Sequence, residues 1–121
     1  MGSSFDNWDR TIPGSLPMHD LQRLARAAAL EQIRGPGAPQ RHLLLEDTVV
    51  VGRSEGQIRI ASGELSRSHM RMERQGPEWV CTDLDSSNGI YLNGVRIHSA
   101  VLREGDMLQL GDVILVFHAG G

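Results

Sequence analysis

The sequence predicts an all-β fold, an antiparallel β-sandwich of short strands preceded by one helix. From residue 41 onward, apolar and polar residues alternate with a period of two, as Met70 and Met72 do with Arg71 and Glu73, which is typical of half-buried strands. Gly, Asp, Asn and Ser separate the apolar runs, and no helical period lies between them. Many short strands with frequent turns indicate a sandwich.

Residues 1–40 are predicted to form an extension outside the sandwich. Apolar residues that begin at Leu21 follow the i, i+3, i+4, i+7 spacing of one helix face, which predicts an amphipathic helix over about 16–34. Gly35-Pro36-Gly37 ends that helix and begins a short linker at 35–39. The residues before the helix are expected to form a mobile tail. We expect the helix to cover a sheet edge or to mediate oligomerisation.

The sandwich domain is predicted to span residues 41–121 and to contain about nine strands. Their approximate bounds are 42–45, 48–51, 57–60, 69–73, 78–82, 90–92, 95–97, 107–110 and 113–117. Asn93-Gly94 lies between two of these runs. It predicts a type I′ hairpin, because both central positions of that turn need a positive φ.

The charged residues exclude several classes of function. All 12 basic residues are arginines, and 15 acidic residues give a net charge of −3. Nucleic-acid binding is disfavoured, since phosphate neutralisation usually requires a positive protein, and the absence of lysine excludes a Walker-type lysine and Schiff-base chemistry. The single Cys81 excludes an intrachain disulfide. Without a bilayer-length apolar run or a signal-peptide pattern, we expect a cytoplasmic protein with no membrane partner.

Three polar clusters follow the ends of predicted strands. They are residues 52–54, 66–69 and 83–89, with the sequences Gly-Arg-Ser, Ser-Arg-Ser-His and Asp-Leu-Asp-Ser-Ser-Asn-Gly. Loops at the ends of a sandwich commonly carry binding residues, because the strands hold them in place.

The side chains in these clusters suit a phosphorylated residue in an extended peptide. Arg53 and Arg67 offer planar donor forks that match phosphate oxygens, and Ser66 and Ser87 each add a hydroxyl. Asn88 offers a donor and an acceptor for a peptide main chain. No carboxylate pair, metal cage or activated nucleophile is evident, so we expect no enzyme, no metal and no cofactor.

The order of these motifs resembles the forkhead-associated (FHA) domain family. The matching motifs are Gly52-Arg53, Ser66-Arg67-x-His69, Asp83-Leu-Asp-Ser-Ser-Asn88-Gly89, Asn93-Gly94 and Leu102-x-x-Gly105-Asp106-x-Leu108-x-Leu110-Gly111. The resemblance covers about 41–118. It implies a sandwich of about eleven strands, with additional strands near 62–65 and 98–101. It also implies phosphothreonine binding through loops at one end.

The resemblance implies a role for each matching residue. Arg53 and Ser66 contact the phosphate, Arg67 assists them, Ser87 adds a hydroxyl or shapes the pocket for the threonine methyl, and Asn88 binds the peptide backbone. The residues expected to support the loops are Gly52, His69, Gly89, Asn93 and Gly94.

Two residues depart from the family pattern, Asp85 where Gly is common and Ile90 where Thr is common. An acid beside the pocket either weakens phosphate binding or favours a basic residue on the partner. A hydrolase that uses Ser66 and His69 is disfavoured, because no third group orients the histidine.

The predicted function is therefore a non-enzymatic module that binds phosphothreonine peptides and docks proteins phosphorylated by Ser/Thr kinases. The partner is a kinase or one of its substrates. The alternative is a phosphate-independent scaffold that assembles complexes. In some FHA proteins a phosphorylated threonine in the N-terminal tail binds the domain's own pocket, and by analogy Thr11 is a candidate regulatory phosphosite. A monomer and a helix-mediated oligomer both remain open.

Overall fold

The computed structural model describes residues 17–121. One helix, α1 (Met18–Ala25), precedes eleven strands. The strands are β1 (Ala28–Arg34), β2 (Gln40–Leu44), β3 (Thr48–Gly52), β4 (Ile58–Arg59), β5 (Met70–Gln75), β6 (Glu78–Asp83), β7 (Ile90–Leu92), β8 (Val95–Ile97), β9 (Ser99–Leu102), β10 (Met107–Leu110) and β11 (Val113–His118).

The strands form two sheets, which confirms the predicted β-sandwich. The six-stranded sheet has the order β2-β1-β11-β10-β7-β8, and the five-stranded sheet has the order β4-β3-β5-β6-β9. All pairs are antiparallel except β3 and β4, which run parallel. This alternation of direction brings the β3–β4, β4–β5, β6–β7 and β10–β11 connections to one end of the sandwich, named here the loop end. The β2–β3, β5–β6 and β9–β10 turns lie at the opposite end.

The hydrophobic core lies between the two sheets. Met70 and Met72 of β5 are fully buried, whereas Arg71 and Glu73 are partly exposed, which confirms the period of two. Cys81 is also fully buried. Burial raises the pKa of its thiol to about 11, so the thiol stays protonated at neutral pH and is unreactive.

The predicted helix over 16–34 is wrong beyond Ala25. Residues 28–34 form β1, which pairs with β2 on one side and with β11 on the other. Ala28, Leu30 and Gln32 form its buried inner face. Ala28 also lies seven residues after Leu21, so the start of this strand fits the helical spacing as well. The stretch at 35–39 is the connection of the β1–β2 hairpin and not a linker. Residues 28–39 therefore belong to the sandwich and lie outside its predicted boundary at residue 41.

The other strand predictions agree with the structure except at one place. All nine runs predicted from periodicity form strands, and the additional strand near 98–101 is present as β9. The strand expected near 62–65 is absent from the described chain, where these residues form a turn. The eleventh strand is instead β1.

The short helix α1 buries none of its residues. Arg23 donates from Nη2 to the Leu45 carbonyl over 3.1 Å, which ties the helix to the β2–β3 turn. Met18 is 69% exposed and Leu21 is 48% exposed. With eight residues, this helix of the described chain is too short to cross a membrane.

A histidine and two carboxylates join three elements at the end opposite the loops. His118 Nδ1 lies 2.6 Å from Glu104 Oε2, and its Nε2 lies 2.9 Å from Glu31 Oε1. The hydrogen bonds to Glu104 and then to Glu31 raise the pKa of His118. The Ala119 amide, followed by His118, lowers the pKa of Glu104, and Arg41 adds a small contribution in the same direction.

We expect this cluster to make the free energy of unfolding fall as the pH rises above 6.5 and through the raised pKa of His118. Because the pKa of His118 is raised in the folded state above its ordinary value of 6.5, its contribution is complete below 6.5 and is lost as the pH rises through the folded pKa. The contribution of Glu104 is lost only at acidic pH, below this window, since its pKa is lowered. Urea denaturation of wild type and His118→Gln over a series of pH values below and above 6.5 measures the effect. Equal pH slopes for the two proteins would contradict it.

Candidate functional site

The β3–β4, β4–β5 and β6–β7 connections carry the three polar clusters and are called here the first, second and third loops. The first two lie side by side at the loop end. The Arg53 amide donates to the Ser66 carbonyl over 2.9 Å, and the Glu55 amide donates to the Arg67 carbonyl over 3.1 Å. A Cβ at residue 52 would lie 1.9 Å from the Arg67 carbonyl oxygen. The loops can approach this closely because Gly52 has no side chain.

The third loop is attached to the second by two hydrogen bonds. The Ser87 amide donates to Ser66 Oγ over 3.1 Å, and Asn88 Nδ2 donates to the Glu64 carbonyl over 2.7 Å. The structure therefore brings together, in one cluster of three loops, every residue that the sequence proposed for phosphopeptide contact. These residues are Arg53, Ser66, Arg67, Ser87 and Asn88.

His69 is fully buried and joins the second and third loops. Its Nδ1 accepts from the Ser66 amide over 3.1 Å, and its Nε2 contacts the Gly89 carbonyl at 2.8 Å. A backbone amide must donate and a carbonyl must accept, so these partners select the neutral tautomer with hydrogen on Nε2. Both ring nitrogens are thereby engaged with the backbone, and neither contacts the Ser66 hydroxyl as a catalytic base would.

Gly89 is required where the third loop enters β7. Its φ is +76°, and a Cβ there would lie 2.8 Å from Arg96 Nε. The guanidinium of Arg96 thus covers the flank of the loop that carries Asn88. No motif in the sequence singles out Arg96. Its register opposite Tyr91 on β8 follows from the Asn-Gly hairpin and could have indicated it.

The hairpin predicted at Asn93-Gly94 is confirmed, and it lies away from the three loops. The φ values are +49° at Asn93 and +87° at Gly94, and Leu92 pairs with Val95 across the turn. Asn93 Nδ2 donates to Asp106 Oδ1 over 3.0 Å, which ties the turn to the start of β10. Asn93 and Gly94 therefore hold strands of the six-stranded sheet together and make no direct contribution to the loop cluster.

The two arginines of the site are available to a ligand. Arg53 and Arg67 are exposed, and within residues 17–121 neither guanidinium makes a hydrogen bond or an ion pair. Glu55 lies in the first loop, where its Oε1 accepts from Ser68 Oγ over 2.8 Å. Glu55 forms no ion pair with either arginine within residues 17–121.

The two departures from the family pattern have structural explanations. Asp85 has a φ of +55°, in the left-handed region that glycine adopts most easily and that Asp tolerates. This accounts for the glycine that is common there. Ile90 is fully buried in the core, so its side chain does not reach the surface of the loops.

The loop cluster is a surface and not a cavity. A cavity of about 430 Å³ lies at the opposite end, between α1 and the β2–β3 and β5–β6 turns. No group of three or more His, Cys, Asp or Glu is placed to hold a metal ion among residues 17–121. An exposed cluster of donors suits an extended peptide better than a small enclosed substrate.

Comparison with known proteins identifies related regulators. The oxoglutarate dehydrogenase inhibitor of Corynebacterium glutamicum is 35% identical over 91% of this chain and 76% of its own length. That of Corynebacterium jeikeium is 37% identical over 78% of this chain and 66% of its own. The glycogen accumulation regulator GarA of Mycolicibacterium smegmatis is 38% identical over 78% of this chain and 60% of its own. The chain thus spans less than two thirds of the last two relatives.

Solved structures share the fold. One described as a structural and functional analysis of phosphothreonine-dependent FHA domain interactions has a TM-score of 0.69 and 25% identity, covering 76% of this chain and 95% of its own. The FhaA FHA domain complexed with the intracellular domain of Rv3910 has the same TM-score and identity, covering 76% and 100%. Mycobacterium tuberculosis EmbR in complex with a low-affinity phosphopeptide shares the fold at 24% identity and a TM-score of 0.73, covering 99% and 29%.

The names of the relatives, an inhibitor and a regulator, agree with the expectation of a binding module and not an enzyme. The family model described as FHA domain matches residues 49–111, which include all three loops. The chain belongs to the forkhead-associated domain family.

Proposed function

We propose that the chain binds phosphothreonine peptides of proteins phosphorylated by Ser/Thr kinases, through the three loops of the loop end. The observation that carries the proposal is the pair of exposed guanidinium groups of Arg53 and Arg67, which have no partner among residues 17–121 and lie on the loops that also carry Ser66. A phosphate group adds close to two negative charges and three acceptor oxygens, and the arginine fork matches it.

The hydrogen bonds within the loops leave the required donors available. Ser66 Oγ accepts from the Ser87 amide, so its hydroxyl proton remains for a phosphate oxygen. Asn88 uses one amide hydrogen on the Glu64 carbonyl, which leaves its second amide hydrogen and its Oδ1 for the peptide backbone. Ser87 is exposed beside Ser66, where it would contact the phosphate or the threonine methyl. His69, Gly52 and Gly89 act as support.

The relatives favour a regulatory role for this binding. Two of them are named as an inhibitor of oxoglutarate dehydrogenase and as a regulator of glycogen accumulation, so the partner would be a kinase, its substrate or a phosphorylated enzyme. The proposal places the protein in the cytoplasm, where Ser/Thr kinase substrates and a lone protonated thiol such as Cys81 both occur.

Calorimetry with a degenerate phosphothreonine library and its unphosphorylated counterpart tests the proposal. We expect binding of the phosphorylated library only, and weaker binding when phosphoserine replaces phosphothreonine. Equal binding of phosphorylated and unphosphorylated peptides would contradict the proposal.

The same titration examines regulation by the N-terminal segment. Thr11 lies outside the described residues, and we propose it as a phosphosite whose phosphorylated form occupies the domain's own loops. A peptide of residues 6–16 phosphorylated at Thr11 is the probe. It should compete with the library for the same site, and failure to compete would remove this part of the proposal.

A phosphate-independent scaffold is the second candidate, and α1 is the observation in its favour. The helix buries none of its residues and leaves Met18 and Leu21 exposed, which is the property of a helix that packs on a partner or on a second copy. Phosphate-independent binding in the titration, together with an oligomer in light scattering that is lost on replacing Leu21 with serine, would favour the scaffold.

A further inference from the structure

The second loop contains a small turn whose first residue is a buried serine. Ser62 is only 2% exposed. The Leu65 amide donates to the Ser62 carbonyl over 3.2 Å, and the Glu64 amide donates to Ser62 Oγ over 3.1 Å. This is a β-turn with a serine at its first position, where Ser, Asp and Asn are favoured.

The Ser62 hydroxyl forms a hydrogen bond to a turn of the six-stranded sheet. Its proton is donated to Oδ1 of Asp112 in the β10–β11 turn, fifty residues away along the chain. The preceding residue of that turn also lies against the small turn, since a Cβ at Gly111 would be 2.6 Å from Cβ of Glu64. The β10–β11 turn therefore supports residues 62–65 through both a hydrogen bond and direct packing.

The supported turn leads directly to two residues of the proposed phosphopeptide site. Glu64, held by Ser62 through its amide, offers its carbonyl to Asn88 Nδ2 at 2.7 Å. Ser66 follows Leu65, which is buried at 2% exposure and anchors the turn in the core. Three hydrogen bonds, joined through the backbone of Glu64, thus connect Asp112 through Ser62 to the side chain of Asn88.

We propose that Asp112 is a positioning residue for phosphopeptide binding. Its carboxylate orients the Ser62 hydroxyl, and the hydroxyl oxygen holds the Glu64 amide. The Glu64 carbonyl, in the next peptide unit, accepts from Asn88 Nδ2 and so sets the direction in which Asn88 presents Oδ1. The proposal rests on the proposed function of the three loops. Asp112 acts through other residues and makes no contact with the peptide.

Because Asp112 is negatively charged, the direction in which phosphopeptide affinity changes when it is removed tests the proposal. Its carboxylate has the same sign as the phosphate, so removing it should strengthen binding if only electrostatics operate. If Asp112 positions the loop, removing it should weaken binding. The two explanations therefore predict changes in opposite directions for the same substitution.

Calorimetry with one phosphothreonine peptide is the measurement. We expect Asp112→Ala to weaken binding about tenfold, which corresponds to the loss of about one hydrogen bond to a charged group. Asp112→Asn should bind within about twofold of wild type, because its amide oxygen still accepts the Ser62 proton. Ser62→Ala should weaken binding at least as much as Asp112→Ala, because it also removes the acceptor of the Glu64 amide. The double variant should be no weaker than Ser62→Ala, since both changes remove the bond between Ser62 and Asp112.

The control is Asp47→Ala, which removes an exposed acid at the opposite end of the sandwich and should leave affinity unchanged. Unchanged or increased affinity in both folded Asp112→Ala and folded Ser62→Ala would overturn the proposal. If Asp112→Ala does not fold, the folded Ser62→Ala and Asp112→Asn variants decide alone.

A measurement without peptide separates this proposal from the proposed function. In the free protein, the side-chain amide signals of Asn88 and the exchange rate of the Glu64 amide report the series of hydrogen bonds directly. Both should change in Asp112→Ala and remain near wild type in Asp112→Asn and Asp47→Ala. Wild-type protein that binds no phosphopeptide would refute the function, whereas unchanged Asn88 and Glu64 signals in Asp112→Ala would refute the positioning.

Discussion

Replacing Arg53 with alanine is expected to weaken phosphothreonine-peptide binding by about 100-fold or more and to change the free energy of unfolding by less than about 0.5 kcal/mol. A bidentate arginine contributes two charge-assisted hydrogen bonds to phosphate, each about 1.5–3 kcal/mol. Their joint loss corresponds to at least two orders of magnitude in affinity.

The expected separation of binding from stability follows from the surroundings of Arg53. Its side chain is exposed and makes no hydrogen bond or ion pair within the described chain, so truncation removes none of these interactions from the described part of the native state. The hydrogen bond that holds its loop is made by the main-chain amide, which donates to the Ser66 carbonyl. Alanine retains that amide.

Two further variants test the explanation. Arg53→Lys should bind with intermediate affinity, because lysine keeps the charge but lacks the planar fork. Arg103→Ala removes an exposed arginine from the β9–β10 turn at the opposite end and should bind as wild type does. Calorimetry gives the affinities and urea denaturation the stabilities. An Arg53→Ala protein that binds like Arg103→Ala would show that the phosphate does not lie at this loop.

The parts of the fold that were predictable from sequence are those determined by local pattern. The nine runs with a period of two form strands, and Asn93-Gly94 forms its turn, because residues adjacent in sequence determine both. The error at β1 has a nonlocal cause. Residues 28–34 are a strand because β11 and β2 pair with them, and β11 lies about 80 residues further along the chain. A local apolar spacing could not reveal that pairing.

In the site, too, the features set by local sequence were predictable and those set by packing between distant segments were not. The motifs identified the loops and the residues that the structure brings together, because the donors and acceptors of arginine, serine and asparagine are known from the residue type alone. The Ser62–Asp112 contact and the position of Arg96 over Gly89 depend on how separate loops pack. No motif indicates the first contact, and the Asn93-Gly94 hairpin indicates only the register of Arg96 opposite Tyr91. The positive φ of Asp85 likewise shows a structural reason for a departure that the sequence left open.

Replacing Gly52 with alanine is expected to lower the free energy of unfolding by about 3 kcal/mol or more, and to weaken phosphopeptide binding even where the protein remains folded. The added Cβ would lie 1.9 Å from the Arg67 carbonyl oxygen and 2.8 Å from the Glu55 carbonyl oxygen. Both obstacles are backbone atoms, so no side-chain rotation relieves the clash. The first two loops must separate, which breaks the hydrogen bond from the Arg53 amide to Ser66.

Gly63→Ala is the matched control, because it adds the same methyl group to the second loop where no atom lies within 4 Å of the new Cβ. The free energy of unfolding should stay within about 0.5 kcal/mol of wild type or rise slightly, since alanine restricts the unfolded chain. Any general intolerance of these loops to side chains would affect both variants equally. A large loss in Gly52→Ala alone would therefore isolate the close approach of the two loops as the requirement for glycine, whereas equal stability of the two variants would contradict it.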